Sequence, residues 1–184
     1  YDNRYSVDSV LSDNFNGGYM LTDYLVEKGH RHIGFFGTLN ATSSINDRYL
    51  GYVKCILENE LEYRKEWVID DRDDSGLLYS KINFPDDMPT AFVCNCDETA
   101  AKLVTLLKSK GYLVPEDVSV VGFDNYVSNG AVNPPLTTIA VDPQAFARAA
   151  VELIIKKISG QPYNQGHSVI GGKLLIRNSV KKIN

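Results

Sequence analysis

Residues 90–124 read TAFVCNCDETAAKLVTLLKSKGYLVPEDVSVVGFD, and the order of apolar and polar residues in this stretch decides the fold. Ala91-Phe92-Val93-Cys94 is a short apolar run of the kind that makes a strand buried on both faces. Asp97 can cap a following helix whose inner face is Ala100, Leu103, Val104 and Leu107 and whose stop is Gly111. Val118-Ser119-Val120-Val121-Gly122-Phe123 then reads as a second strand. Strand, helix and strand within some three dozen residues is the spacing of a right-handed βαβ crossover, which makes the two strands parallel.

The same rhythm extends outward in both directions. Upstream, Ile33-Gly34-Phe35-Phe36 is a strand, a helix from Asn46 carries Tyr49, Leu50, Val53, Ile56 and Leu57 at helical spacing, and Trp67-Val68-Ile69 is another strand. A short helix is expected over residues 77–82. Before these, a run over residues 5–11 leads into an amphipathic stretch with Met20, Leu21, Tyr24 and Leu25 on one face, stopped by Gly29. Downstream, residues 137–141 read as a strand, and Asp142 caps a helix with Pro143 at its first position. Its buried stripe is expected to be Phe146, Ala149, Ala150, Leu153, Ile154 and Ile158, ended by Gly160 and Pro162, and a last extended piece covers residues 173–177. The fold class is therefore α/β, with a doubly wound parallel sheet.

Composition narrows the functions open to such a chain. With 184 residues, 43% hydrophobic and 23% charged, it can bury one good core or two small lobes. No run of about 18 apolar residues and no basic-then-apolar leader is present, so no membrane span or signal peptide is read. Three cysteines are an odd number, and Cys94 and Cys96 sit too close along one strand end for a disulfide, which fits a reducing cytoplasm. A net charge of -4 with scattered Lys and Arg forms no basic stripe, so these residues by themselves are not expected to bind DNA.

No cofactor or metal is expected. The chain lacks a P-loop, a GxGxxG and a GxSxG motif. Cys94-x-Cys96 has the wrong spacing for zinc and no second ligand pair. Asp71, Asp73, Ser75 and Gly76 imitate the start of a calcium loop, but Ile82 stands where a bidentate Glu is required, which leaves a solvated acidic loop. His30 and His32 precede their strand and so belong to the amino edge of the sheet, as part of a structural turn.

Open parallel sheets bind ligands beyond the carboxyl ends of their strands. The loops that follow the strands hold residues 38–46 with Arg48 beyond them, residues 70–74, Cys96 with Asp97, and Asp124 with Asn125. This rim suits a sugar: hydroxyls donate to a carboxylate and accept from a guanidinium, while an apolar ring face lies on an aromatic such as Phe15 or Tyr126. Arg48 and Asp124 are the pair selected, although they also fit a helix-surface ion pair and a turn position.

Several segments together resemble the lactose/galactose repressor family of bacterial transcription regulators. They are Ser12-Asp13-Asn14 with Gly17-Gly18, Gly29-His30-Arg31-His32-Ile33-Gly34, Arg48-Tyr49-Leu50-Gly51-Tyr52, Pro89-Thr90-Ala91 with Asp97-Glu98, the run from Val114 through Gly122-Phe123-Asp124, Pro134-Pro135-Leu136-Thr137-Thr138-Ile139, and Ile176-Arg177-Asn178-Ser179. The resemblance implies a periplasmic-binding-protein-like fold of two lobes, with a sugar or related effector between them. The regulator it implies is a homodimer whose DNA contacts come from an N-terminal helix-turn-helix head, with no membrane partner. It also implies that Arg48 and Asp124 hold effector hydroxyls and that Ser44 and Asn16 fall at contact positions. Cys96 stands where an Asn is usual, and Val141 where a polar residue can occur.

By the same resemblance, residues 1–28 are a remnant of the N-terminal lobe, 29–140 the C-terminal lobe, 141–168 a return to the N-terminal lobe, and 169–184 the final strand and tail of the C-terminal lobe. The DNA-reading head and roughly the first hundred residues of the effector domain are expected upstream of Tyr1. The stripes of the two N-terminal-lobe helices are expected to pack on the intact lobe or on a second chain. Two competing readings share the fold: a solute-binding protein of a sugar transporter, and a small α/β enzyme acting through Asp124 and Cys96. Free cysteines and the Pro-Pro-Leu-Thr-Thr-Ile and Arg-Asn-Ser segments argue against the first, and the absence of a catalytic motif against the second.

Overall fold

The computed structural model describes residues 7–73, 75–79, 82–126 and 132–183. In chain order the elements are β1 (Ser9–Ser12), α1 (Asn14–Glu27), β2 (Ile33–Phe36), α2 (Ser43–Glu58), a 3-10 turn (Lys65–Trp67), β3 (Val68–Ile69), β4 (Ala91–Cys94), α3 (Asp97–Ser109), β5 (Ser119–Asp124), β6 (Thr137–Ala140), α4 (Pro143–Ile158), β7 (His167–Ile170) and β8 (Lys173–Leu175).

Six strands form one sheet in the order β3-β2-β4-β5-β6-β8. Every neighbouring pair is parallel except β6 with β8, which is antiparallel. Side chains alternate across the sheet, as the pleat requires. Ile33, Phe35, Val93, Val121 and Phe123 meet Leu21 and Leu25 of α1 and Tyr52 and Ile56 of α2 on one face. Phe36, Phe92, Cys94, Val118 and Val120 meet Leu103 and Leu107 of α3 on the other. This double cover is why the strands read as continuous apolar runs.

Helices α1 and α2 approach to backbone contact. A methyl at Gly18 would collide with the carbonyl of Arg48, and one at Gly51 with the carbonyl of Phe15. The two glycines let the helices touch and bring the first turn of α1 beside Arg48. At the opposite, amino edge the chain's closing segment is laced to the sheet. The buried Ser179 hydroxyl donates to the Val120 carbonyl and accepts from the Thr137 N–H, while the Ile183 N–H donates to the Lys28 carbonyl.

A second, two-stranded parallel sheet pairs β1 with β7, Ser12 opposite Ile170, and α4 packs on both. Strand β7 was not expected, and the expected boundary at residue 168 falls inside it. Its sequence is half polar and its residues mostly exposed, so no buried-strand pattern marks it.

Helix α1 buries Leu21 and Leu25 in the core of the six-stranded sheet, where its stripe fits between α2 and the strands, which is one of the two covers expected for it. Other expectations are corrected. The stripe of α4 is not buried: none of its residues is, and Ile154 and Ile158 are 57% and 79% exposed, since only the short pair β1–β7 lies against it. Residues 77–79 are not helical; Leu78 instead makes an isolated antiparallel bridge to Arg72, and residues 80 and 81 of the expected helix lie outside the described residues. Helix α2 begins before Asn46, at Ser43, where the Thr42 hydroxyl accepts the Ile45 N–H at 3.2 Å. The expected strand over residues 5–11 begins at Ser9, with residues 1–6 outside the described residues.

Candidate functional site

The carboxyl rim of the six-stranded sheet gathers the polar residues. Arg48 lies one turn into α2, and its guanidinium lies 3.7 Å from the centre of the Phe123 ring. Its Nε donates to Asn14 Oδ1 at 2.9 Å, one Nη to the Asn95 carbonyl, and the other Nη to Asp124 Oδ1 at 3.2 Å. The side chain is 11% exposed and that of Asp124 37%. Burial lowers the pKa of Arg48 and Asp124 pushes it back up, so the group stays a cation. The arrangement is a cation stacked on an aromatic ring and anchored on three sides, next to a carboxylate that still reaches solvent.

Asp124 ends β5 with φ 98°, and Asn125 follows with φ 56°. Two consecutive non-glycine residues in this region cost on the order of 1–3 kcal/mol each and persist only where their surroundings hold them. Arg177 holds Asn125, one Nη donating to Asn125 Oδ1 at 2.7 Å and the other to the Leu136 carbonyl at 2.8 Å.

A second cluster ties three rim loops together. Asp71, 1% exposed, accepts through Oδ1 from the Thr38 N–H and Arg72 Nε, each at 3.1 Å, and through Oδ2 from Asn95 Nδ2 at 2.9 Å and the Thr99 hydroxyl at 3.4 Å. Burial alone would raise its pKa, but the bonds from Arg72, Thr38 and Asn95 outweigh it and hold the carboxyl below its ordinary range. Asp71 therefore fixes Asn95, whose carbonyl in turn receives Arg48. The acidic loop is not uniformly solvated: Asp71 is its buried post, and Asp73 closes a local turn by accepting from Ser75 and Leu77. Among the described residues no group of His, Cys, Asp and Glu could hold a metal ion.

Arg48 and Asp124, placed on one rim from sequence, are brought into contact. Phe15 and Asn16 occupy the first turn of α1 beside Asn14, with Phe15 41% exposed and the Asn16 N–H bound to Asp13 at 3.1 Å. Ser44 stands in the first turn of α2, half buried. Cys96 precedes α3 with its sulfur 3.3 Å from the Thr99 hydroxyl. Asp97 does not cap α3; it is the helix's first residue, and its carboxylate turns to Thr138 and Tyr126. His30 is a buried structural residue at the amino edge, 2.9 Å from the Thr90 hydroxyl and 3.2 Å from the Lys181 carbonyl, with its pKa lowered by burial. Sequence reasoning gave no role to Asn14, Asn95 and Arg177. Asn14 and Arg177 stand inside quoted motifs, which was the available signal.

A fold with one glycine-laced helix pair, a parallel sheet and an Arg–Asp rim is that of a small-molecule binding domain. Residues 22–180 match the model of the periplasmic binding protein-like domain, so the chain belongs to that family, and within it the chain is similar to regulators of the lactose/galactose repressor type. The HTH-type transcriptional repressor PurR of Mannheimia succiniciproducens is 32% identical over 179 residues, covering 96% of this chain and 54% of the repressor. The chain thus spans about half the length of the curated relatives it matches. Among solved structures, a putative LacI transcriptional regulator from Bacillus cereus subsp. cytotoxis superposes with a TM-score of 0.82 at 25% identity, over 100% of this chain and 66% of the other. A periplasmic binding protein/LacI transcriptional regulator from Alkaliphilus metalliredigens, complexed with D-xylulofuranose, gives 0.77 at 27% identity, over 95% and 66%. These matches bear out the family resemblance read from the motifs.

Proposed function

We propose that this chain supplies one wall of an effector cleft in a transcription regulator, and that the effector is a sugar or a related polyhydroxylated small molecule. The observation that carries the reading is the Arg48–Asp124 pair, locked at the carboxyl rim by Asn14, Asn95 and Phe123 while Asp124 remains open to solvent. A carboxylate beside a fixed guanidinium offers an acceptor and donors at the spacing of neighbouring hydroxyls. Phe15 offers a ring face, and Ser44, Asn16 and Cys96 flank the pair as further effector contacts. The sugar in the Alkaliphilus complex supports the ligand class.

The role is binding rather than catalysis, in keeping with the regulators the chain resembles. In the whole protein, a cytoplasmic homodimer, effector between two lobes selects one hinge angle and so resets the spacing of two DNA-reading heads outside these residues. Calorimetric titration of the full-length gene product with pentoses, hexoses and disaccharides tests this. One class of sugar binds, and Arg48→Met or Asp124→Asn weakens it by roughly 10- to 100-fold, equivalent to one charge-assisted hydrogen bond of about 1.5–3 kcal/mol. Affinity unchanged from the unsubstituted protein in both variants overturns the assignment.

A further inference from the structure

We propose that Asp97 is a positioning residue, which fixes the turn after β5 so that the Asp124 carboxylate faces Arg48. Its purpose rests on the effector reading above; its geometry does not.

Asp124 and Asn125 both hold left-handed backbone conformations that residues with a Cβ disfavour, so the turn needs external ties. Asp97 supplies one. Its Oδ2 accepts the N–H of Tyr126, the first residue beyond the disfavoured pair, at 3.1 Å. Its Oδ1 accepts the Thr138 hydroxyl of β6 at 2.6 Å. One carboxylate, 2% exposed, thereby joins the start of α3, the turn after β5 and strand β6. The strand beneath is adapted to it, since a Cβ at Gly122 would collide with Asp97 Oδ1. Arg177 is the second tie, through Asn125. The Ile176-Arg177-Asn178-Ser179 motif thus gains two structural tasks, Arg177 on the turn and Ser179 between β5 and β6.

The arrangement needs two acceptors at one side chain. An amide supplies only one acceptor and presents donors that face the Tyr126 N–H or the Thr138 hydroxyl. The charged and titratable groups facing Asp97 are Asp124 on β5, Arg48 on α2, Arg177 after β8, and the Cys94 thiol at the end of β4, with Cys96 next to Asp97 in the chain. Burial and Asp124 raise its pKa to about 6, against the Thr138, Tyr126 and Arg177 interactions that lower it. The tie therefore loosens in an accessible pH range.

Nitrogen-15 NMR of the protein from pH 4.5 to 8 tests the proposal without any ligand. The Tyr126 amide and the Arg48 Nε–H are expected to shift together with a midpoint near 6. In Asp97→Asn the step is lost and Tyr126 exchanges with solvent at least tenfold faster. Thr138→Val, which removes a bond that lowers the Asp97 pKa, moves the midpoint upward and serves if Asp97→Asn does not fold. Flat signals in the wild type, a step that survives Asp97→Asn, or a midpoint unmoved by Thr138→Val each overturn the proposal. These readouts fail or succeed separately from effector binding, so loss of the sugar reading alone leaves them standing.

Discussion

Helices α1 and α4 carry the same kind of apolar stripe and meet opposite fates. Leu21 and Leu25 of α1 are fully buried, whereas α4 leaves Val151, Ile154, Ile155 and Ile158 at least half exposed. Neither helix propensity nor hydrophobic spacing separates them; what does is the size of the sheet each one meets. Helix α1 lies on a six-stranded sheet with α2 beside it, and α4 lies on two short strands. An amphipathic pattern states that a face is to be covered and leaves unstated by what.

The comparison can be broken or sharpened by measurement. In urea denaturation, Leu25→Ala is expected to cost about 2–5 kcal/mol by transfer and cavity terms, and Leu153→Ala below about 1 kcal/mol. Equal losses would mean that α4 is covered as fully as α1.

The pH dependence of stability on the six-stranded side comes next in size. The folded pKa of Asp97, about 6, lies above its unfolded value of 3.8, so its share of stability is fully present below pH 3.8 and is lost as pH rises through 6. The span corresponds to roughly 3 kcal/mol at about 1.4 kcal/mol per unit. Asp71 works the other way: its depressed pKa contributes stability present above 3.8 and lost as pH falls below it. Asp97→Asn should therefore flatten the fall in stability between pH 4 and 6, and an unchanged slope would refute the assignment of that fall to Asp97.

Removing Asp71 should cost somewhat less, about 1.5–3 kcal/mol for Asp71→Asn at neutral pH, because Thr38, Arg72 and Asn95 lose an ionised acceptor. The smallest effect is on α4: Ile154→Ser should change stability by no more than about 0.5 kcal/mol, since the side chain already meets solvent. A large loss there would show that a partner covers the helix under the conditions of the measurement.

Much of the sheet was legible in sequence because parallel strands covered on both faces need unbroken apolar runs, and Ile33-Gly34-Phe35-Phe36, Ala91-Phe92-Val93-Cys94 and Val118 through Phe123 supply them. Once the strands were placed, the shared rim of Arg48 and Asp124 was legible too, since Asp124 closes β5 and Arg48 lies in the helix that follows β2. Asp71 and Asp97 were not. Each sits among exposed-looking polar residues, and each is buried only because loops from three different strands or helices close over it, a condition no local pattern records. Strand β7 escaped for the opposite reason: His167-Ser168-Val169-Ile170 is largely exposed and pairs with β1 across most of the chain's length.

The contact of Gly18 with Arg48 and of Gly51 with Phe15 has a mechanical consequence. Helices meshed at bare backbone leave no room to slide, so a push on the opening turn of α1 arrives at the guanidinium with little slack. Asp13 alone separates β1 from α1. The small sheet is therefore joined to the meshed helix pair, and through it to the anchored cation, by a link one residue long.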